Sequence, residues 1–219
     1  MHMKLASARP SPSWSMDRLR RYFDMIPAER ILLDPLPGTA TEDDVLHINE
    51  RKERLCELVD GVLVEKAVGT KEGLLGVWLA HLIWVYLEKH AIGIALGGDG
   101  MLRLFPGLVR VPDVSFISAE RLSEGQLPDE AIASLAPDLA VEVISKGDTK
   151  REIERKLREY FASGTRLAWV VHPKSETVEV YTSAAKKRTL RQGQTLDGGD
   201  VLPGFRLPLR RLFAPGSRR

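Results

Sequence analysis

The stretch PDLAVEVISKGDTKREIERKLREYFASG, residues 137–164, limits the fold more than any other part of this chain. Leu139–Ile144 is a short apolar run, rich in β-branched residues and of the length of a buried strand. Thr149 stands three residues before Glu152, the spacing of a capping box, and Gly164 supplies a left-handed stop. A helix is therefore predicted from Lys150 to near Gly164, and RLAWVV after it reads as the next strand. Strand, helix and strand in that order predict a crossover unit. Side chains alternate along a strand, so Leu139, Val141 and Val143 take one face, and Ala140, Glu142 and Ile144 the other. Glu142 is then a carboxylate inside an apolar strand. Its desolvation is costly unless a cation or hydrogen-bond donors meet it.

The other segments extend this unit into a mixed α/β domain. LCELVDGVLVEKA places Asp60-Gly61 between two apolar runs, a two-residue hairpin signal. TEDDVLHI reads as a short helix capped by Thr41. IGIAL, MLRLF and LVRVPDVSFI read as three short strands, and residues 118–137 as a long polar loop, functional or mobile. Antiparallel hairpins in the N-terminal half and a crossover later predict a mixed sheet flanked by helices. Residues 41–213 are expected to form the single domain. The proline-rich residues 1–40 are expected to be a partly flexible arm with a helix possible at 16–26, and 214–219 a tail. LLGVWLAHLIWVYL, residues 74–87, falls short of the roughly 20 residues that span a bilayer. It is apolar around most of its circumference, which predicts a homodimer through residues 71–89. The only cysteine, Cys56, rules out an intramolecular disulfide and any multi-cysteine metal site, and fits a reducing cytoplasm. A net charge of +2 shows no global basic surplus, so nucleic acid would have to meet a local patch.

Asp113 is the second acid within an apolar strand. If its strand neighbours that of Glu142, the two carboxylates lie side by side, and either one is protonated or both hold a divalent cation. Oxygen-only ligation favours Mg2+ or Mn2+ over zinc. The alternative is that both acids sit at strand ends in solvent. Lys156 lies about 80° from the centre of the apolar stripe Ile153, Leu157, Tyr160 and Phe161. From that flank a lysine reaches over the sheet edge, although a solvated helix border looks the same. Lys150, Arg151, Arg155 and Arg158 make either a phosphate-facing ridge or a solvated face. Glu57 alone reads as an outward strand position, Glu72 as a helix-dipole residue, His81 as a core or interface histidine, and Asp99 as a turn residue.

Four motifs in order, CELVDGVLVE, VRVPDVSFIS, APDLAVEVISKGDTKREIERKLREYFASGTRLAWVVHPKSETVEVY and LPGFRLPL, resemble the Uma-type family of restriction endonucleases over residues 41–213. That family lies within the PD-(D/E)XK nuclease superfamily. The resemblance implies a restriction-endonuclease-like mixed sheet flanked by helices, with Asp113 and Glu142 as Mg2+ ligands and an acidic contribution from Glu57. The superfamily's lysine usually sits two residues after the second acid, where this chain has Ile144; Lys156 is where members of the family offer a substitute. GTKEG replaces a Ser-His pair carried by many members, with Glu72 in its stead. The expected activity is Mg2+- or Mn2+-dependent hydrolysis of DNA. Asp113 and Glu142 would hold the metal, Glu57 would assist through water or a second metal, and Lys156 would orient the nucleophile or stabilise phosphorane charge. Lys150, Arg151 and Arg155 are the expected phosphate contacts. The competing expectation is a nuclease-fold module that binds nucleic acid or a protein without cleaving, which Ile144 and the near-neutral charge favour.

Overall fold

A computed structural model describes residues 25–51 and 54–215. Strands β1 (Cys56–Val59) and β2 (Val62–Glu65) form the expected hairpin. Its turn residues Asp60 and Gly61 have φ of 52° and 74°, as the tight turn that matches strand twist requires. Glycine at 61 also answers a close approach. Its carbonyl accepts from the backbone N–H of Gly38 and Ala40, and a Cβ there would lie 2.8 Å from Gly38 backbone atoms.

Strands β3 (Gly93–Leu96), β4 (Leu102–Phe105), β5 (Leu108–Arg110) and β6 (Val114–Ser118) follow. LVRVPDVSFI is thus two strands in two sheets, not one strand. Pro112 cannot donate to a ladder, and the chain changes sheet there, leaving Asp113 at the entry to β6. One sheet is antiparallel in the order β2-β1-β5-β4. The other comprises β3, β6, β7 (Leu139–Val143), β8 (Leu167–His172), β9 (Thr177–Tyr181) and β10 (Lys187–Leu190), in the order β10-β9-β8-β7-β6-β3. Only its β7–β8 pair is parallel, so the sheet is mixed as expected. A last hairpin, β11 (Thr195–Gly198) and β12 (Leu202–Pro208), follows.

The helices are α1 (Glu42–Glu50), α2 (Thr70–Leu87), α3 (Lys150–Ser163) and α4 (Leu209–Leu212). The alternation along β7 sorts its two sides. Leu139, Val141 and Val143 share a core with Leu75, Leu79 and Ile83 of α2. On the opposite face Ile153 and Leu157 of α3 pack on Ala168 and Val170 of β8. Gly164 ends α3 at φ 102°. Thr149 accepts from the Glu152 N–H, but the reciprocal half of the capping box is missing, because the Glu152 carboxylate is bound by Arg30.

Arg30 belongs to a segment expected to be an arm. Residues 25–40 are instead built into the domain: Ile26 and Ile31 are buried, Ile31 bridges Val64, and Thr149 donates to the Met25 carbonyl. Two isoleucines between prolines are too sparse to show periodicity, yet they cover the open face of the hairpin. The 118–137 segment is also anchored, through buried Ile132 and a bridge between Ala133 and Leu102. His81 lies exposed on α2, stacked on Trp78 at 5.4 Å between centroids, rather than in the core. Most of the helix expected at 16–26, and residues 216–219, lie outside the described residues. Among those described, no helix is long and apolar enough to cross a membrane.

Candidate active site

Val114 of β6 pairs with Val141 of β7, which brings Asp113 opposite Glu142 at the end of the ladder. Asp113 Oδ2 accepts the Val143 N–H at 2.6 Å, and Asp113 Oδ1 accepts from Lys66 Nζ at 2.6 Å. Glu142 Oε1 accepts from the Tyr160 hydroxyl at 2.5 Å and Oε2 from Lys156 Nζ at 3.1 Å. The same ammonium lies 3.3 Å from Glu57 Oε1. The Val111 N–H reaches Glu57 Oε1 at 3.0 Å, and Arg110 Nη1 reaches Oε2 at 2.7 Å. Arg110 in turn binds Glu159 of α3. The cluster is therefore assembled from β1, β5, β7, α3, the residue after β2 and the residue before β6.

Glu57 is fully buried, not the outward position that its strand alone indicates. Both faces of β1 are covered: Val59 packs with Val62, Val64 and Tyr160, and Leu58 with Val45 and Val109. Lys156 is likewise buried rather than solvated. Burial raises the Glu142 carboxyl to about 7, against the pull of Lys156 and Lys66 and with the help of Asp113 and Glu57. Burial pushes Glu57 upward too, but Lys156, Arg110 and Lys66 outweigh it and hold that carboxyl at about 2. The environment separates two buried glutamates, one poised near neutrality and one firmly ionised. Burial tends to lower the Lys156 ammonium, and Glu142 and Glu57 more than offset it, so its pKa is raised.

Among the described residues, no three His, Cys, Asp or Glu side chains converge as a metal cage. Glu57 accepts from Arg110 and the Val111 N–H and lies beside the Lys156 ammonium. Asp113 and Glu142 each accept one donor per oxygen and retain further lone pairs. Asp113 is near enough to raise the Glu142 carboxyl, and a neighbouring carboxylate pair suits Mg2+, a hard cation that commonly takes one or two carboxylates and keeps several waters. The donor set fits that ion. Asp113 and Lys66 line an open cleft of about 190 Å3 together with Glu72, Gly69 and Gly73 of the α2 entry. A Cβ at Gly69 would lie 2.0 Å from Glu72 Oε2, so the glycine makes room for that carboxylate.

Of the expected site residues, Glu57, Asp113, Glu142 and Lys156 come together, and Ile144 joins the apolar cluster under α3. Lys150 is exposed and 3.8 Å from Glu154, and Arg151 is exposed. Arg155 is engaged with Asp60 at 2.9 Å and Glu159 at 2.6 Å. Lys66, Arg110 and Tyr160 are additions. Lys66 carried a usable signal: it shares strand phase with Val62 and Val64, and Val64 pairs with Glu57, so all face one way. Tyr160 follows Lys156 by one helical turn, within an apolar stripe that hid its hydroxyl.

A crystal structure of a protein from Anabaena variabilis ATCC 29413, described as a "putative nuclease belonging to DUF820", is similar in fold. It has a TM-score of 0.65 at 19% identity, over 74% of this chain and 90% of that one. Among curated proteins none matches. The Uma2 family, described as "Putative restriction endonuclease", matches residues 42–210, most of the chain and all of the strands and helices that build the cluster. The chain therefore belongs to the Uma2 family.

Proposed function

We propose that the protein is a nuclease that hydrolyses phosphodiester bonds in DNA with Mg2+ or Mn2+ held by Asp113 and Glu142. The observation that carries this reading is the meeting of those two carboxylates from adjacent strands, with Asp113 on the wall of an open cleft. Held there, such a cation would supply Lewis-acid polarisation of a phosphoryl oxygen and a lowered pKa for an attacking water.

Lys66 lines the cleft and Lys156 does not, so Lys66 is the ammonium offered to a substrate phosphate. Lys156 acts behind it as a positioning residue, holding Glu142 and Glu57 in register with α3. Tyr160 fixes the Glu142 rotamer through its hydroxyl. Glu57 anchors Lys156 and Arg110 instead of binding metal. Lys150 and Arg151, exposed at the start of α3, are the phosphate contacts outside the cleft. We assign the homodimer interface to the outer face of α2, where Leu74, Val77 and Trp84 are 54%, 73% and 44% exposed.

One observation favours a module that binds without cleaving: every oxygen of Asp113 and Glu142 already has a protein donor. Incubation of supercoiled and linear DNA with Mg2+ or Mn2+ separates the two. Cleavage is expected from the wild type and a loss of about a hundredfold or more in Asp113→Asn, Glu142→Gln and Lys66→Met. DNA binding with no cleavage under either metal would reject the nuclease and support the module.

A further inference from the structure

A second surface, remote from the cleft, has the chemistry of a polyanion site. The end of α2 and strand β12 enclose a groove of about 250 Å3 into which Lys89, His90, Arg206 and Arg211 converge. No carboxylate lines it. This sets the groove apart from most of the cationic surface, where Arg54, Arg103, Arg121, Arg155, Lys187 and Arg188 all sit in ion pairs. Among the described residues, Lys89, Arg206, Arg211 and the adjacent exposed Arg210 make no ion pair. Asp197 stands opposite Arg206 across the hairpin, but its carboxylate is held by Arg188.

The groove is held rigid by contacts between parts far apart in sequence. The Tyr86 hydroxyl donates to the Pro203 carbonyl at 2.8 Å, and the Trp78 indole donates to the Arg211 carbonyl at 3.0 Å. The Tyr86 ring stacks on His90 at 4.3 Å and meets Phe205 edge-on at 5.5 Å. Exposed cations with no acidic partner, carried on a packed aromatic base, create a positive potential rather than a mixed surface. Such a surface recognises closely spaced negative charges that have a solvated backbone.

We propose that this groove binds the phosphodiester backbone of nucleic acid away from the scissile bond. This rests on the nuclease reading for the identity of the polyanion. Between Gly73 at the cleft and Tyr86 at the groove, α2 rises about 20 Å and turns about 140°. A fragment of a few base pairs therefore cannot occupy both at once. The groove adds affinity to long substrates without touching the chemistry of the cleft.

The test is fluorescence anisotropy in EDTA across a salt series, with a duplex of about 30 base pairs. It compares wild type with the double variant Arg206→Glu and Arg211→Glu, and with Lys89→Gln, whose exposed side chain leaves the fold intact. Each lost phosphate contact should reduce the slope of log affinity against log salt by roughly 0.9. The double variant should therefore lose about 2 in slope and at least tenfold in affinity for the long duplex. Lys89→Gln should lose about half that slope. Wild-type slopes in both variants, with cleavage intact, would overturn the groove and leave the nuclease standing. Charge-dependent binding without cleavage under any divalent ion would retain the groove and remove the nuclease. Loss confined to co-sedimentation with phosphatidylserine vesicles would overturn the proposal in favour of an anionic membrane, and a wild type that binds no DNA would overturn both readings.

Discussion

Lys156 divides one buried ammonium between two buried carboxylates, so its removal leaves Glu57 and Glu142 facing each other with half their compensation gone. Lys156→Met is expected to cost about 3–5 kcal/mol in urea unfolding, the usual result of orphaning a buried ion-pair partner. Lys66→Met should cost less, because Asp113 keeps 24% of its side chain open to water while losing its ammonium. Glu57 has a distinct pH signature. Its carboxyl is held near 2, below the ordinary value of 4.5, so the stabilisation is complete above 4.5 and disappears as pH falls through 2. The stability gap between wild type and Glu57→Gln, read from urea midpoints, should be widest near neutrality and close between those pH values. A gap that widens on acidification would show that Glu57 is not the ionised partner of Lys156 and Arg110.

At the scale of elements, the β7–α3–β8 unit was legible because strand alternation, an N-cap and a glycine stop all fall within one local stretch. Glu142 stood out within it, while Lys156 on the helix flank read equally as a solvated border. Arg110, Lys66 and Glu159 did not stand out, since their roles depend on which face of one sheet meets which helix of the other. Arg30 and Glu152 are 122 residues apart, and Glu152 alone reads as a capping glutamate. The burial of residues 25–40 was equally hidden, because it depends on docking against Gly61 and Val64. Gly61 tests that docking directly. Gly61 and Gly107 share nearly the same φ, 74° and 75°, but only at 61 would a Cβ meet backbone; at 107 nothing lies within 4 Å. Gly107→Ala should show the strain of the dihedral alone, about 1 kcal/mol, and Gly61→Ala that strain plus the clash, about 3 kcal/mol or more. Equal losses would mean that the 38–40 segment does not bear on the hairpin. Deletion of residues 1–38, which removes Ile26, Arg30 and Ile31, should abolish the cooperative thermal transition.

At the scale of the whole molecule, two sheets and α3 converge on one cluster beside a cleft that α2 lines, while the outer face of α2 is left apolar. Light scattering at micromolar concentration should give twice the 24.4 kDa chain mass, and Leu74→Lys with Trp84→Lys should return it to the monomer. A wild type that remains monomeric would remove the dimer without touching the site. The central claim is that Asp113 and Glu142 jointly hold a divalent cation. Calorimetric titration of Mn2+ into wild type, Asp113→Asn and Glu142→Gln measures it most directly. Saturable binding in the wild type, absent from both variants while their melting remains cooperative, is the predicted result. Unchanged Mn2+ affinity in both variants would contradict it.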